Sequence, residues 1–349
     1  MRLDAQPWRA PGWFSKALVC TRKRGGFTQK NGQGEMKRWR WVGLWLSVCL
    51  AGCATVPGVV TDTAGGRTVE HALAGQGAPV VVFENGLGAS LGWWAKVWPD
   101  TVAETTALAY NRAGYGHSEA SPGPRDGAHV VEELRALLQA RKLPPPYVLV
   151  GHSLGGFLSL ITACKRPDLA RGVVMLDSPV FKGWRSHTVQ VLKRSRLIQR
   201  LGPGKVSATR RHAWPSRQAA HDHFAAKPKF ARWAPGVLAD YIACGTEPRA
   251  DKVVLAFDRE VETAIYNTLP HNLGRLLSTH PLQCPAAFIG GRDSDEMRQV
   301  GMAMTLRITQ GRTMMLDGSH LFPMEQPMTT AAAIEAALLN LAALNPVKH

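Results

Sequence analysis

The sequence predicts an α/β protein with a mostly parallel central sheet flanked by helices, and two observations support this fold class. Short apolar, β-branched runs alternate with longer helix-like stretches from about residue 67 onward, a pattern typical of a parallel sheet covered on both faces. The 349 residues, 45% hydrophobic and 19% charged, are enough to bury one large core. Composition therefore indicates a globular protein rather than a disordered chain or a polytopic membrane protein.

Seven runs are predicted to be strands, and three stretches are predicted to be helices. The strands span residues 68–73, 80–83, 107–110, 147–150, 173–176, 286–289 and 313–316, and the helices span residues 130–142, 154–164 and 329–344. We expect residues 67–178 and 281–345 to form the α/β core. Residues 179–280 break the alternation and are Arg-rich, without a clear strand. They are predicted to form a helical cap inserted between two late strands, and are called the cap below.

Positive charge is concentrated in two segments of this chain, whose net charge is +16. Residues 181–280 contain 17 basic and 7 acidic side chains, and residues 1–53 contain 10 basic and 2 acidic ones. No nucleic-acid-binding motif accompanies this charge, and no stacking aromatic residues alternate with it, so we expect no nucleic-acid partner. The charge of the cap either attracts anionic lipid headgroups or forms a solvated face.

The strongest local motif is a strand followed by G-x-S-x-G and a helical segment. The strand at residues 147–150 runs into residues 151–155, Gly-His-Ser-Leu-Gly. A serine on such a sharp turn needs small neighbours, and the start of the helix favours developing negative charge. The motif predicts Ser153 as a nucleophile. His152 is adjacent to Ser153 on the turn and is predicted to serve in packing.

Two later turns supply a candidate acid and a candidate base. Residues 286–293 read as a strand that ends at Asp293, and residues 314–320 read as a strand that ends at His320. A serine hydroxyl needs an imidazole to accept its proton, and the imidazole needs a carboxylate to orient it. The order serine, acid, histidine predicts His320 as the general base and Asp293 as its partner. Asp177 also ends a strand and is the alternative acid.

Two backbone N–H groups are predicted to form an oxyanion hole. One belongs to Leu154, the residue after the nucleophile, and the other to Leu87, in the Gly-flanked turn after the strand at residues 80–83. A plain glycine turn is the alternative for the second. Trp93 and Trp94 follow this turn, where they either line an acyl pocket or pack in the core.

Together these motifs resemble the α/β-hydrolase superfamily over about residues 67–344. Residues 110–118, Tyr-Asn-Arg-Ala-Gly-Tyr-Gly-His-Ser, look like the family's Asp-Arg-x-Gly-x-Gly-x-Ser turn, and residues 320–327 look like its His-containing ending. Two departures are visible. Residues 84–86, Glu-Asn-Gly, stand where many members have His-Gly, and Asn111 replaces the usual Asp. The resemblance implies the α/β-hydrolase fold and a serine hydrolase.

We therefore predict hydrolysis of a carboxylic ester, with a small-molecule or lipid-like substrate, through an acyl-enzyme at Ser153. Alternatives on the same triad are cleavage of an amide, lactone, thioester or carbon–carbon bond, or perhydrolysis. From another class, the chain could be a catalytically inactive, lipid-anchored binding protein. We expect no cofactor and no metal, because the histidines of His221-Asp222-His223 share a face only in a strand and this stretch looks helical.

Residues 36–52 resemble a bacterial lipoprotein signal peptide, with a basic start, an apolar run and a lipobox at residues 50–53, Leu-Ala-Gly-Cys. The resemblance implies acylation of Cys53 and attachment to the cell envelope, on the periplasmic side of the outer membrane. An uncleaved membrane anchor is the alternative. Residues 1–35 are predicted to be a disordered extension or a start-site artefact, and residues 53–66 a linker.

Three cysteines, Cys164, Cys244 and Cys284, remain in the predicted mature chain besides Cys53. A disulfide between Cys244 and Cys284 is compatible with an oxidising compartment, whereas three buried free thiols are the simpler state. The sequence carries no signal for the oligomeric state.

Overall fold

The computed structural model of this chain describes residues 56–180, 204–268 and 273–344. The predicted extension at residues 1–35, the predicted signal peptide at residues 36–52 and the predicted lipidation site Cys53 lie outside the described residues, as does part of the cap.

The described part of the chain contains eleven strands and thirteen helices longer than a single 3-10 turn. The strands are β1 Val59–Ala64, β2 Arg67–Ala74, β3 Val80–Glu84, β4 Thr106–Tyr110, β5 Tyr147–His152, β6 Ala170–Leu176, β7 Ala213–Trp214, β8 Thr246–Arg249, β9 Lys252–Leu255, β10 Ala286–Gly291 and β11 Thr313–Leu316. The helices are α1 Trp98–Glu104, α2 Gly127–Ala140, α3 Leu154–Lys165, α4 Gly204–Thr209, α5 Arg217–Ala225, α6 Pro228–Ala231, α7 Val237–Gly245, α8 Arg259–Thr268, α9 Leu273–Thr279, α10 Asp295–Val300, α11 Ala303–Thr309, α12 Phe322–Glu325 and α13 Pro327–Leu344. A 3-10 helix spans Leu91–Trp94.

Eight of the strands form the central sheet, in the order β1-β2-β4-β3-β5-β6-β10-β11. The pairs β1/β2 and β2/β4 are antiparallel, and the five pairs from β4/β3 to β10/β11 are parallel. Strands β3, β5 and β10 are buried along their whole length, as expected for apolar strands covered on both faces. The predicted fold class, a mostly parallel sheet between helices, is confirmed.

Two apolar cores lie on opposite faces of the sheet. One contains Trp94, Trp98 and the buried side of α13. The other contains the apolar side chains of α2 and α3. Helix α13 is long and apolar enough to cross a membrane by length and composition, but its buried residues pack in the first core. The sheet is therefore held rigidly from both sides, and the carboxyl ends of its parallel strands lie along one edge.

Two local expectations are wrong. The cap was expected to lack a clear strand, but β7, β9 and β8 form an antiparallel three-stranded sheet in it. These strands are two to four residues long, and β8 and β9 carry charged residues and Pro248, so no apolar alternation marks them. The predicted linker at residues 53–66 contains β1, a mostly exposed strand at the edge of the central sheet, in which Val59 and Val60 are adjacent and both exposed, so no buried apolar alternation marks it.

Cys164, Cys244 and Cys284, the cysteines of the described residues, form no disulfide with one another. Burial raises the pKa of Cys284 to about 12, and the cysteine that adds to this effect is Cys164. Cys244 lies instead against Gly92, where a Cβ on the glycine would come within 2.6 Å of its Sγ. The disulfide between Cys244 and Cys284 is therefore not formed.

Candidate active site

Ser153 lies on the sharp turn between β5 and α3, in a backbone conformation that L residues rarely adopt (φ 54°, ψ −118°). The turn is held by close contacts that exclude side chains. A Cβ on Gly155 would lie 2.0 Å from the Glu84 carbonyl oxygen, and a Cβ on Gly151 would lie 2.2 Å from the backbone of Gly155. The glycines of the motif are therefore required by space, and the strained turn holds Ser153 at the start of α3.

Ser153, His320 and Asp177 form a continuous hydrogen-bonded chain. His320 Nε2 lies 3.0 Å from Ser153 Oγ, and His320 Nδ1 lies 2.6 Å from Asp177 Oδ2. Because a carboxylate accepts hydrogen bonds, the pairing assigns the imidazole proton to Nδ1 and leaves the Nε2 lone pair to accept from the serine hydroxyl. The side chain of His320 is 20% exposed, so a ligand can reach His320 and the adjacent Ser153 hydroxyl.

Asp177 follows β6 directly and is held by more than its contact with His320. Its Oδ1 accepts from the Gly291 N–H at 3.0 Å and its Oδ2 from the Ser294 hydroxyl at 2.6 Å, while its own N–H donates to the Ile289 carbonyl. Burial alone would raise the pKa of Asp177, but the hydrogen bonds from His320, Ser294 and Gly291 outweigh it, and the pKa lies below its usual value. The carboxyl group is thus kept ionised and fixed in orientation.

The expectation that Asp293 contacts His320 is wrong. Asp293 lies two residues beyond β10, its side chain is 61% exposed, and its carboxylate pairs with Arg232 Nη2 at 3.2 Å. Asp293 N–H donates to the Gly318 carbonyl, so this residue supports the turn through its backbone. The alternative acid, Asp177, occupies the position beside His320 because β6 lies between β5 and β10 in the sheet.

The loop that carries His320 is held by hydrogen bonds to Ser319 and to the His320 carbonyl. Glu325 accepts from the Ser319 N–H at 2.9 Å and from the Ser319 hydroxyl at 2.6 Å. Arg232 of the cap lies 3.4 Å from the same carboxylate. On the other side, His152 Nε2 lies 2.9 Å from the His320 carbonyl oxygen. The His320 loop is therefore held by contacts from the cap, from α12 and from the turn that carries Ser153.

His152 does more than pack, which the sequence did not indicate. Its ring stacks on Trp93, with centroids 5.6 Å apart, and lies 4.9 Å from the ring of His320. Burial, followed by the charge of His320, lowers the pKa of His152 to about 3. It is therefore neutral when His320 takes up a proton, and its Nε2–H donates to the His320 carbonyl. In the sequence, this role of His152 is indicated only by its position next to Ser153.

A buried polar network fixes the loop after β3, where Leu87 lies. Arg112 donates to the Asn85 and Gly86 carbonyls at 2.6 and 2.7 Å. Asn85 Nδ2 donates to the Tyr110 carbonyl at 2.7 Å, and its Oδ1 accepts from Trp94 Nε1 at 2.6 Å. Trp94 thus belongs to the core and to this network. The Glu-Asn-Gly sequence, a departure from the family pattern, is explained by these contacts.

Glu84, the last residue of β3, also belongs to this network. Its Oε1 accepts from the Tyr110 hydroxyl at 2.7 Å, and its Oε2 lies 3.8 Å from Arg112. Burial raises the pKa of Glu84 to about 7, against the opposing effects of Arg112 and the tyrosine hydroxyl. Asn111, the second departure, donates to Glu70 at 2.5 Å. An aspartate at that position would place two carboxylates in contact.

The two predicted oxyanion donors lie on segments that touch each other. Gly155, one residue after Leu154, packs on the Glu84 carbonyl, and Gly86, one residue before Leu87, packs on the His152 ring. In the part of the chain that the structure describes, neither the Leu87 N–H nor the Leu154 N–H has a hydrogen-bond acceptor. Their side chains pack in an apolar cluster with cap residues. Within the described residues, two backbone donors beside the nucleophile thus lack an acceptor.

Among the described residues, one group of potential metal-ligating atoms is compact, namely Asp177, Glu296 and His320. Its Asp177 and His320 atoms already bond to each other, and Glu296 Oε2 lies 3.7 Å from His320 Nδ1. His221 and His223 lie on α5, where His223 packs against Trp214. The geometry of the compact group is that of a hydrogen-bonded acid and base.

Residues 79–209 match the family described as the alpha/beta hydrolase fold. An uncharacterised protein of Bacillus subtilis is 37% identical over 103 residues, which are 30% of this chain and 41% of that protein. A putative carbamate hydrolase of Klebsiella pneumoniae is 34% identical over 128 residues, covering 35% of this chain and 46% of that protein. The chain therefore spans less than half the length of these curated relatives.

Two solved structures extend the likeness to most of the chain. The E-2-(acetamidomethylene)succinate hydrolase is 18% identical with a TM-score of 0.66, covering 80% of this chain and 99% of that one. The enol-lactonase from Burkholderia xenovorans is 19% identical with a TM-score of 0.56, covering 80% of this chain and 100% of that one. At these identities the likeness shows the fold alone. The expected α/β-hydrolase fold is confirmed.

Proposed function

We propose that this chain is a serine hydrolase that cleaves carboxylic esters through an acyl-enzyme at Ser153. The observation that carries the proposal is the continuous chain of hydrogen bonds from Asp177 through His320 to Ser153. Three features support it: the strained turn at Ser153, the N–H groups of Leu87 and Leu154, which have no acceptor among the described residues, and a fold shared with solved hydrolases.

In the proposed first step, Ser153 Oγ attacks the ester carbonyl carbon while its proton passes to His320 Nε2. Asp177 keeps the His320 proton on Nδ1 and stabilises the imidazolium. The carbonyl oxygen becomes an oxyanion and accepts from the N–H groups of Leu87 and Leu154. As the carbon–oxygen bond to the alcohol breaks, His320 returns the proton to the leaving oxygen, which leaves an acyl group on Ser153.

Water completes the cycle by the same route. His320 accepts a proton from water, the resulting hydroxide attacks the acyl carbon, and the same two N–H groups stabilise the second oxyanion. Ser153 then regains its proton from His320, and the carboxylic acid leaves. His152 remains neutral through both steps, so no second positive charge faces the imidazolium.

The test is hydrolysis of 4-nitrophenyl esters from acetate to palmitate by the purified chain, with Ser153→Ala as control. Activity that depends on Ser153 supports the esterase, and a variant with full activity would refute it. One relative is a putative carbamate hydrolase and one neighbour an enol-lactonase, so the panel should include a carbamate and a lactone. The alternative, an inactive binding protein, predicts no labelling of Ser153 by a fluorophosphonate probe.

We also propose that Cys53 is acylated and that the protein is anchored in the bacterial cell envelope, on the periplasmic side of the outer membrane. The support is the lipobox-like sequence at residues 50–53 after a basic and apolar run. Mass analysis of the amino terminus of the mature protein should find diacylglyceryl Cys53. A mature chain that keeps residues 36–52 would contradict this.

A further inference from the structure

A short stretch of the cap, residues 232–234, contacts the elements that hold the His320 loop and is called the docking segment below. The Ala234 N–H donates to the Met324 carbonyl at 2.9 Å. Met324 is a buried residue of α12, so this contact lies inside the fold. The docking segment is therefore attached to α12, the helix that ends at Glu325.

Arg232 pairs with the carboxylate that orients the His320 loop. Its Nε lies 3.4 Å from Glu325 Oε1, and both oxygens of Glu325 accept hydrogen bonds from Ser319, the residue before His320. The Glu325 side chain is 5% exposed, and among the described residues Arg232 is the one basic side chain that pairs with it. A buried carboxylate is unfavourable unless it is paired and hydrogen-bonded. Arg232 therefore stabilises the charge to which Ser319 is bound.

Trp233 reaches the same loop by a second route. Its ring packs edge-to-face on Trp93, with centroids 5.6 Å apart, and Trp93 stacks on His152, also with 5.6 Å between centroids. His152 Nε2 in turn lies 2.9 Å from the His320 carbonyl oxygen. Both tryptophans are buried. The docking segment thus contacts the supports of the His320 loop on two sides, through Glu325 and through His152.

Resting on the proposed function, we infer that Arg232 is a positioning residue for the catalytic base, and that the site is competent only while the docking segment is bound to the His320 loop. Arg232 does not touch the reacting atoms, because its guanidinium pairs with Glu325 and Asp293. It sets the position from which His320 Nε2 reaches the serine hydroxyl, where a displacement of about 1 Å can cost on the order of 10²-fold in rate. The cap therefore regulates the chemical step itself.

The experiment compares Arg232→Met, which keeps the apolar part of the side chain and loses the charge, with Arg232→Lys, which keeps the charge. On the 4-nitrophenyl ester that the wild type cleaves fastest, kcat should fall about tenfold in Arg232→Met, with KM within about twofold of the wild type. Arg232→Lys should recover most of the lost kcat. Arg249→Met removes another exposed arginine of the cap, which pairs with Glu247, and should keep the wild-type kcat.

A double-mutant cycle tests the route through Glu325. Glu325→Gln has one acceptor oxygen in place of two and should lower kcat on its own. If Arg232 acts through this carboxylate, Arg232→Met should cause little further loss in the Glu325→Gln background. Losses that multiply would show that Arg232 acts elsewhere and would overturn the inference. A wild-type kcat in Arg232→Met, or a rise in KM alone, would overturn it as well.

Proton NMR in water measures the position of the base without any substrate. The Nδ1 proton of His320, which is bound to the Asp177 carboxylate, should give a downfield resonance that is absent in His320→Gln. In Arg232→Met this resonance should broaden, because a loosened loop opens to water more often, whereas Arg232→Lys and Arg249→Met should keep it sharp. An unchanged resonance in Arg232→Met would contradict the positioning role. A wild type that shows the resonance, yet cleaves no ester and is not labelled by a fluorophosphonate, would instead refute the proposed function.

Discussion

Asp177 Oδ2 lies 2.6 Å from His320 Nδ1, although the two residues are 143 positions apart in the sequence. Asp293, only 27 positions before His320, points away from it and pairs with Arg232. The nucleophile and the acid therefore come from the ends of neighbouring strands, β5 and β6, and the base comes from the loop after β11.

Substitution of the two aspartates should separate their roles. Asp177→Asn should lower kcat for ester hydrolysis by roughly 10³-fold or more, because an amide cannot hold the imidazole proton on Nδ1 or stabilise the imidazolium. The matched variant Asp293→Asn loses an exposed ion pair, which is worth little, and kcat should stay within about twofold. Steady-state kinetics on a 4-nitrophenyl ester measure both. A larger loss in Asp293→Asn than in Asp177→Asn would restore Asp293 as the acid.

Ser153 should be a site where activity and stability oppose each other. Its φ of 54° with ψ of −118° is unfavourable for any residue with a Cβ. Ser153→Gly should therefore have a higher free energy of unfolding than Ser153→Ala, by about 1 kcal/mol. Urea unfolding of the two inactive variants measures this difference. Equal stabilities would mean that the turn relaxes without strain when the hydroxyl is lost.

His152 should position His320 through a single hydrogen bond. His152→Gln can retain a donor to the His320 carbonyl, whereas His152→Phe keeps the stacking on Trp93 but loses the donor. We expect kcat to fall at least about tenfold in the Phe variant and much less in the Gln variant. The pH profile of kcat/KM should shift in the Phe variant, because the environment of His320 changes. Identical profiles and rates for the two variants would assign His152 to packing alone.

Glu84 should make stability depend on pH. Burial raises its pKa from 4.5 to about 7, so the folded chain holds this proton more tightly than the unfolded chain. The stabilisation is complete below pH 4.5 and is lost as the pH rises through about 7, by roughly 3 kcal/mol.

Glu84→Gln stays neutral and lacks this loss, so its free energy of unfolding relative to the wild type should rise between pH 4.5 and 8. Urea unfolding across this range measures the difference, and Glu119→Gln, on an exposed side chain, is the matched control. Parallel curves for wild type and Glu84→Gln would show that folding does not raise the pKa of Glu84.

The sequence predicted what depends on local pattern. The sequence pattern located β2 and the six parallel strands of the central sheet to within three residues at each end. The parallel strands are found most easily because burial on both faces makes such strands continuously apolar. The glycines around Ser153 located the sharp turn because only glycine fits there. Short cap strands and β1 have no such pattern, and their pairing is decided by neighbours distant in the chain.

The choice between Asp177 and Asp293 could not be made from the sequence. Both follow buried strands, and both are followed within a few residues by a turn. The direction of the carboxylate distinguishes them. Asp177 has a positive φ and turns its carboxylate toward the Gly291 N–H and the Ser294 hydroxyl. Asp293 turns its carboxylate to Arg232 and reaches the His320 loop through its backbone N–H, which donates to Gly318. The contacts of the Asp177 carboxylate join segments more than 100 residues apart, which local patterns do not report.

The strand order also determines how this chain would behave as two fragments. A cut anywhere in the cap leaves Ser153 and Asp177 on the amino-terminal fragment and His320 on the carboxyl-terminal one. In the central sheet, the two fragments would pair through the parallel strands β6 and β10. Neither fragment has all three groups. Ester turnover by a mixture of the fragments would then report their reassembly, which makes the cap the natural place to divide the chain for a split-enzyme sensor.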